Sequence, residues 1–209
     1  TNSADSGTIV PTGIQIGLGV KTGAIYRNTN QGTLQNTSNT LDVAIQGKGF
    51  LQITLPSGEI AYTRAGALQL SPDGTIVTAD GNQVEPAITI PPTATAISIN
   101  QSGEVFATIP NQVAPQNLGQ FQTASFINEA GLQAIGGNMY METVASGAPV
   151  TGTPGTNGYG TMLQGYLESS NVDAVTELTN LIKAQRVYEM NSKIISKSDE
   201  MLQNLNQSV

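Results

Sequence analysis

The residues that could perform chemistry are few, and their types fit no common catalytic site. The chain contains no His and no Cys, so the usual zinc sites and nucleophile–histidine triads are excluded. The remaining carboxylate pairs are Asp73 with Asp80 and Asp199 with Glu200. The first pair lies at predicted turn corners, where Asp is favoured for backbone reasons, and the second lies on a predicted exposed helix surface. We therefore expect neither pair to be catalytic.

Phosphate and cation binding are equally poorly supported. The glycine-rich residues 17–23 include Lys21 and Thr22 but lack the spacing of a phosphate-binding loop. Residues 152–160 are also glycine-rich, but no strand precedes them and no helix starts directly after them. No Asp-x-Asp-x-Asp motif points to calcium. We expect no cofactor, no metal and no small-molecule substrate.

The charge balance excludes two further classes of partner. The net charge is −7 and only 8 residues are basic, whereas nucleic-acid binding requires clustered Lys and Arg. The same scarcity argues against a basic helix on a membrane surface. No apolar run reaches the length of about 18 residues needed to cross a bilayer.

The predicted secondary structure that would position a functional surface changes from short strands to a long helix at Ser170. Before it, short alternating segments are separated by turn signals such as Pro56-Ser57-Gly58 and Gln101-Ser102-Gly103, a pattern that predicts hairpins. The pattern predicts a mainly β chain with an irregular, sandwich-like or barrel-like domain and a long C-terminal α-helix that forms a coiled coil. The predicted divisions are a connecting stretch with extended strands (1–37), a β-rich domain (38–145), a Gly/Pro-rich return segment and strand (146–170) and the helix (171–209).

The C-terminal segment has the features of a long helix that needs a partner. Neither Pro nor Gly occurs from Asn171 onwards, and Ser170 with Asp173 has the spacing of a capping box. Its apolar residues recur every seven positions, in one row of Leu181, Tyr188, Ile195 and Leu202 and a second of Val187, Ile194 and Met201, extended by Leu178 and Leu205. A seven-residue period predicts a seam with other helices. The alternative is that the helix folds back on the β domain.

Three stretches of the sequence together resemble the axial proteins of the bacterial flagellum. They comprise residues 38–50 with Ala-Tyr-Thr-Arg-Ala-Gly at 61–66, then residues 73–81, and finally Glu-Ser-Ser-Asn-Val at 168–172 with residues 184–189 and 199–202. The mid-chain residues 83–91 and 153–160 are most similar to the distal rod members. A proximal rod or hook-type subunit remains an alternative.

The resemblance implies a structural subunit with two layers. The terminal helices would form an inner tube around an export channel, and the β domain would form the outer wall of a rigid shaft that carries torque from motor to hook. Its partners would be copies of itself, proximal rod and hook proteins at the ends and ring proteins around it, in the basal body between periplasm and outer membrane. Family members share an N-terminal helix that does not appear in this sequence, and we expect that helix to be one partner of the seam.

Two alternative functions, each from a different class of protein, remain open. A surface adhesin would be a monomer with a ligand pocket, and it would leave the seven-residue rows unexplained. A polysaccharide hydrolase would need two carboxylates about 5–9 Å apart in a cleft, and the sequence offers no obvious pair.

Overall fold

The computed structural model describes residues 28–110, 112–156 and 158–207, with residues 202–207 described by their backbone alone. These residues form sixteen β-strands, one short 3-10 helix (Glu129–Gly131) and one α-helix, α1 (Ala174–Gln207). The strands are β1 Leu34–Asn36, β2 Val43–Gln46, β3 Phe50–Thr54, β4 Ile60–Thr63, β5 Leu68–Leu70, β6 Ile76–Thr78, β7 Gln83–Glu85, β8 Ala96–Ile99, β9 Glu104–Thr108, β10 Gln116–Gln120, β11 Thr123–Ser125, β12 Gln133–Gly136, β13 Met139–Met141, β14 Val150–Gly152, β15 Thr161–Gln164 and β16 Tyr166–Glu168.

Four predicted turns close four hairpins, which join β3 to β4, β5 to β6, β6 to β7 and β8 to β9. Each turn contains a glycine with φ between 78° and 86°, namely Gly58, Gly74, Gly81 and Gly103. The N–H of each glycine donates to the carbonyl three residues earlier, at 2.8–3.0 Å. Positive φ is inexpensive only for glycine, so these positions fix where each chain reversal occurs.

The largest sheet is organised around β3. One edge of β3 pairs antiparallel with β4, and the other edge pairs with β11 at its start and with β7 at its end. The strand order is β12-β13-β4-β3-β7-β6-β5, with β14 added beyond β11. Three smaller sheets accompany it among the described residues, with orders β10-β9-β8, β15-β2 and β1-β16.

The main hydrophobic core lies where β2, β3, β7, β9 and β15 meet. Its members are the buried side chains of Val43, Ile45, Leu51, Ile53, Ala61, Leu68, Ile76, Val84, Ile88, Ile90, Ile99, Val105, Phe121 and Met162. Phe121, Ile53 and Val105 are fully buried. Since strands from the large sheet and from two small sheets contribute to one cluster, the β part packs as one body.

A glutamine side chain connects two of the small sheets. The amide of Gln164, at the end of β15, accepts the N–H of Ile99 at 3.0 Å and donates to the carbonyl of Ile97 at 3.1 Å. It also donates to the carbonyl of Thr40 at 2.7 Å. The side chain thus occupies the place of a neighbouring strand at the edge of β8, where a buried N–H would otherwise lack a partner.

The predicted fold class, mainly β with a long C-terminal helix, is confirmed. Within the described residues no sheet closes into a barrel, because the large sheet ends at β5 and β12 without pairing them. Part of the predicted Gly/Pro-rich return segment forms β14, which pairs with β11, so a strand does lead into the glycine-rich residues 152–160. The predicted divisions at 38–145, 146–170 and 171–209 stay predictions, and most of the connecting stretch, residues 1–27, lies outside the described residues. The described part of α1 contains no stretch long and apolar enough to cross a membrane.

Candidate assembly surface

Helix α1 is capped by Asp173 rather than by Ser170. The carboxylate of Asp173 accepts the N–H of Val175 at 3.0 Å and the hydroxyl of Thr176 at 2.8 Å. These two bonds, that from Thr176 first, hold the pKa of Asp173 below its usual value. The capping box predicted at Ser170 is therefore wrong. Ser170 lies before the helix start, in a segment where the side chain of Asn171 donates to the backbone carbonyls of Asn28 and Asn30.

The predicted apolar rows lie on a helix whose described side chains are all exposed. The exposed fractions of the predicted seam residues run from 54% to 77%, for Leu178, Leu181, Val187, Tyr188, Ile194, Ile195 and Met201. The alternative in which α1 folds back on the β domain is thus not what the structure shows. Leu202 and Leu205 lie on the same helix, but their side chains are outside the described ones. The role of all nine residues as a seam stays a prediction.

Three apolar residues that the seven-residue rows omit are also exposed. Val175 is 71% exposed, Ile182 is 51% exposed and Met190 is 58% exposed. At about 100° per residue, they lie away from the row of Leu181 and Tyr188. A helix with apolar residues on more than one side is typical of one that is surrounded by neighbours. Counting apolar residues on all sides of the helix would have found these three.

Six of the eight charged residues of α1 lie on the side away from the first row, whereas Glu177 and Asp199 lie beside that row. Arg186, Glu189 and Lys193 occupy that side by the same helical geometry. One ion pair forms between Lys197 and Glu200 at 2.6 Å, with side chains 72% and 58% exposed. Exposed pairs of this kind contribute little to stability.

The helix is joined to the β domain by two paired segments, residues 28–36 and 166–173, which we call the stem. Strands β1 and β16 pair antiparallel within it, with Leu34 opposite Glu168. The stem segments approach so closely that a Cβ at Gly32 would collide with the carbonyl oxygen of Ser169. A glycine is required at this position, because any larger residue would separate the two segments.

The stem meets the β domain at Arg64. Its guanidinium group forms an ion pair with Glu168 at 2.9 Å and donates to the carbonyls of Gly47 and Gly49, each at 3.0 Å. The side chains of Arg64 and Glu168 are only 18% and 12% exposed. Arg64 and Glu168 belong to two of the stretches on which the family resemblance rests, and the structure brings these stretches together. Sequence reasoning missed this pair, since nothing local indicates that the two residues meet.

An aromatic cluster supports this junction. The ring of Phe50 lies 5.8 Å from the guanidinium carbon of Arg64 and packs edge-on against Phe126 and Tyr140, with centroids 6.0 and 5.9 Å apart. Tyr62 packs edge-on against Phe126 at 4.8 Å. Burial, together with the negative charge of Glu142, raises the pKa of Tyr62.

The carboxylate pairs considered above stay apart from this junction. Asp73 lies in the β5–β6 turn, Asp80 in the β6–β7 turn, and Asp199 with Glu200 on the exposed helix. Among the described residues, no group of three or more potential ligands is placed to hold a metal ion. A cleft of about 310 Å³ opens beside the junction, lined in part by Phe50, Arg64, Tyr140, Glu168 and Asn171.

Comparison with known families assigns the chain to a class. Residues 44–107, from β2 through most of β9, match the family model of the flagellar hook protein FlgE/F/G D1 domain. Residues 163–208, which include α1, match that of the flagellar basal body rod FlgEFG protein C-terminal region. Both the β domain and the exposed helix are thus those of the axial structural proteins of the flagellar rod and hook.

Individual relatives narrow this class. The flagellar basal-body rod protein FlgG of Caulobacter vibrioides is 56% identical over 203 residues, which cover 97% of this chain and 78% of the relative. The FlgG proteins of Agrobacterium fabrum and Bacillus subtilis are 52% and 42% identical, over 92% and 91% of this chain and 74% of each relative. The chain belongs to the flagellar basal-body rod protein FlgG family. It is a structural subunit of the distal rod, located in the flagellar basal body.

Proposed function

We propose that the chain polymerises with copies of itself into a helical tube, with α1 in the inner layer and the β domain in the outer layer. The observation that carries the proposal is the exposure of every described side chain of α1, including the apolar rows. Full burial of one such side chain contributes about 1.5–3 kcal/mol. Ten large apolar side chains of α1, each more than half exposed, therefore leave on the order of 10 kcal/mol to be gained by contact with other helices.

The ends and the outside of such a tube would contact other proteins of the flagellum. The hook protein FlgE of Escherichia coli is 42% identical to this chain over 107 residues, which cover 51% of this chain and 26% of the hook protein. This shared part supports a continuous stacking of rod and hook subunits at one end. We extend the proposal to proximal rod proteins at the other end and ring proteins around the β domain. The assembled tube acts as a rigid shaft that transmits torque and encloses the export channel, and this subunit performs no catalysis of its own.

Electron microscopy of basal bodies tests the role of the helix. In a bacterium that carries this protein as its rod subunit, the gene is edited to remove residues 174–209, and a second strain carries Glu59→Gln, a change in the exposed β3–β4 turn. We expect complete rods in the parent and in the Glu59→Gln strain, and none in the deletion strain, although its β domain is still made. Complete rods in the deletion strain would show that α1 does not build the tube.

A further inference from the structure

Several polar contacts between the stem and the β domain are made by one side chain, Arg64. Arg64 follows β4 and reaches the turn between β2 and β3, where it donates to the carbonyls of Gly47 and Gly49 at 3.0 Å and of Ile45 at 3.3 Å. Its Nε donates to Glu168 of the stem at 3.0 Å. Nη1 and Nη2 therefore bind carbonyls of the β domain, whereas Nε and Nη2 bind Glu168 of the stem. Nη2 thus contacts both parts.

The partner carboxylate extends this connection across the stem. One oxygen of Glu168 faces Arg64, and the other accepts the N–H of Gly32 at 2.9 Å. Both stem segments are thus bound through a single carboxylate. A planar group with five fixed donors suits this set of acceptors, whereas a Lys ammonium group would act as a point charge.

A second side chain repeats the connection from the opposite direction. Gln31 of the stem donates to the carbonyl of Ile45 at 2.7 Å and accepts the N–H of Gly47 at 3.0 Å. The turn of residues 47–49 is therefore held by Arg64 from the domain and by Gln31 from the stem. Two planar groups with different origins, bound to one turn, restrict rotation of the stem relative to the sheet.

We propose that Arg64 is a positioning residue for assembly, which fixes the angle at which the stem presents α1 relative to the β domain. This inference rests on the proposed function, because it explains how copies of the chain direct their helices inward at one common angle. If the angle varied between copies, the outer domains would not stack with a constant offset, and the rod would bend.

The first test measures this angle in the isolated chain. The protein has no native cysteine, so spin labels attach only at introduced sites, and Ser57→Cys with Glu177→Cys places one label on the β3–β4 turn and one in the first turn of α1. We expect one narrow distance distribution in the parent and in the control Gln69→Ala, at an exposed position away from both labels. Arg64→Gln is expected to broaden and shift it, and Arg64→Lys to broaden it less. An unchanged distribution in Arg64→Gln would overturn the proposal.

Hydrogen exchange provides a second readout at the same junction. The Gly32 N–H, which donates to Glu168, is expected to exchange about tenfold faster in Arg64→Gln, since a charge-assisted bond loses its orientation. Glu168→Ala, which removes the acceptor of the Gly32 N–H, serves if Arg64→Gln fails to fold. Equal protection of Gly32 in the variant that folds and in the parent would contradict the connection.

Rod shape separates this inference from the proposed function. In basal bodies from cells that carry Arg64→Gln or Glu168→Gln, we expect rods that assemble but deviate from a straight axis in electron micrographs. Rods as straight as those of the parent would overturn the role of Arg64 while leaving the tube itself intact. If instead the proposed function were wrong and α1 did not build the tube, complete rods would form in the strain that lacks residues 174–209.

Discussion

The apolar row of α1 can be tested without disturbing the β domain. The triple change Leu181→Gln, Tyr188→Gln and Ile195→Gln removes side chains that are 55%, 77% and 63% exposed. Since full burial of each would contribute about 1.5–3 kcal/mol, the exposed parts still to be buried contribute about 1–2 kcal/mol each. The sum, about 3–6 kcal/mol per copy, corresponds to a contact weakened roughly 10²–10⁴-fold.

The free energy of unfolding of the isolated chain should change little, because these side chains are already in solvent. Substitutions at exposed positions are usually within about 0.5 kcal/mol of neutral, and Gln is a good helix former. Urea unfolding followed by circular dichroism measures this part. An unfolding free energy lowered by several kcal/mol would show that the row already packs within one chain.

The assembly assay counts complete rods per cell at graded expression of the rod gene. The matched control carries Arg186→Gln, Glu189→Gln and Lys193→Gln, which alter the same helix on its charged side. We expect the control to build rods at the parent's expression level, and the apolar triple variant to need at least a hundredfold more protein or to build none. Rods at the parent's level in the apolar variant would refute the reasoning.

Three further predictions concern the β domain and are checked by urea unfolding. Gln164→Ala should lower the unfolding free energy by about 1–3 kcal/mol, because it leaves the Ile99 N–H unpaired, whereas Gln69→Ala, at an exposed position of β5, should be nearly neutral. Phe121→Ala removes a fully buried ring and should cost about 3–5 kcal/mol; a loss below 1 kcal/mol would contradict its place in the core. The raised pKa of Tyr62 means that the folded state retains this proton when the unfolded state loses it, so stability should fall as the pH rises above 10. Tyr62→Phe should make that decline shallower, and an identical decline would show that other groups cause it.

Local chemistry made the hairpins predictable from the sequence. Asp73-Gly74 and Asp80-Gly81 place a residue that tolerates positive φ beside one that favours turns, and both close hairpins in the structure. The seven-residue rows of α1 likewise need only the period of the helix. Their described members are exposed in the structure, and their role as a seam stays a prediction. In both cases the residues that determine the structure are close in sequence: adjacent in the hairpin turns and seven positions apart in the rows of the helix.

Contacts between distant parts of the chain were not predictable in this way. Arg64 and Glu168 are 104 residues apart, and neither has a neighbour that signals the other. The same limit explains the wrong cap, since Ser170 and Asp173 are both good capping residues. In the structure Asn171, between them, donates to the carbonyl of Asn30, 141 residues earlier in the chain, a contact that the local sequence does not indicate.

The pairing of the first described strand with the last has a consequence for the order in which the molecule folds. The four hairpins each close over a few residues, so each can form as soon as its own part of the chain is free to fold, starting from the N-terminal side. In contrast, Leu34 pairs with Glu168 and Val43 with Gln164, so these strands can pair only after more than a hundred further residues are available. Long loops of this kind close slowly. We expect the stem to form only when nearly the whole chain is free. A helix ready for assembly would then be presented only by a subunit whose β domain is already complete.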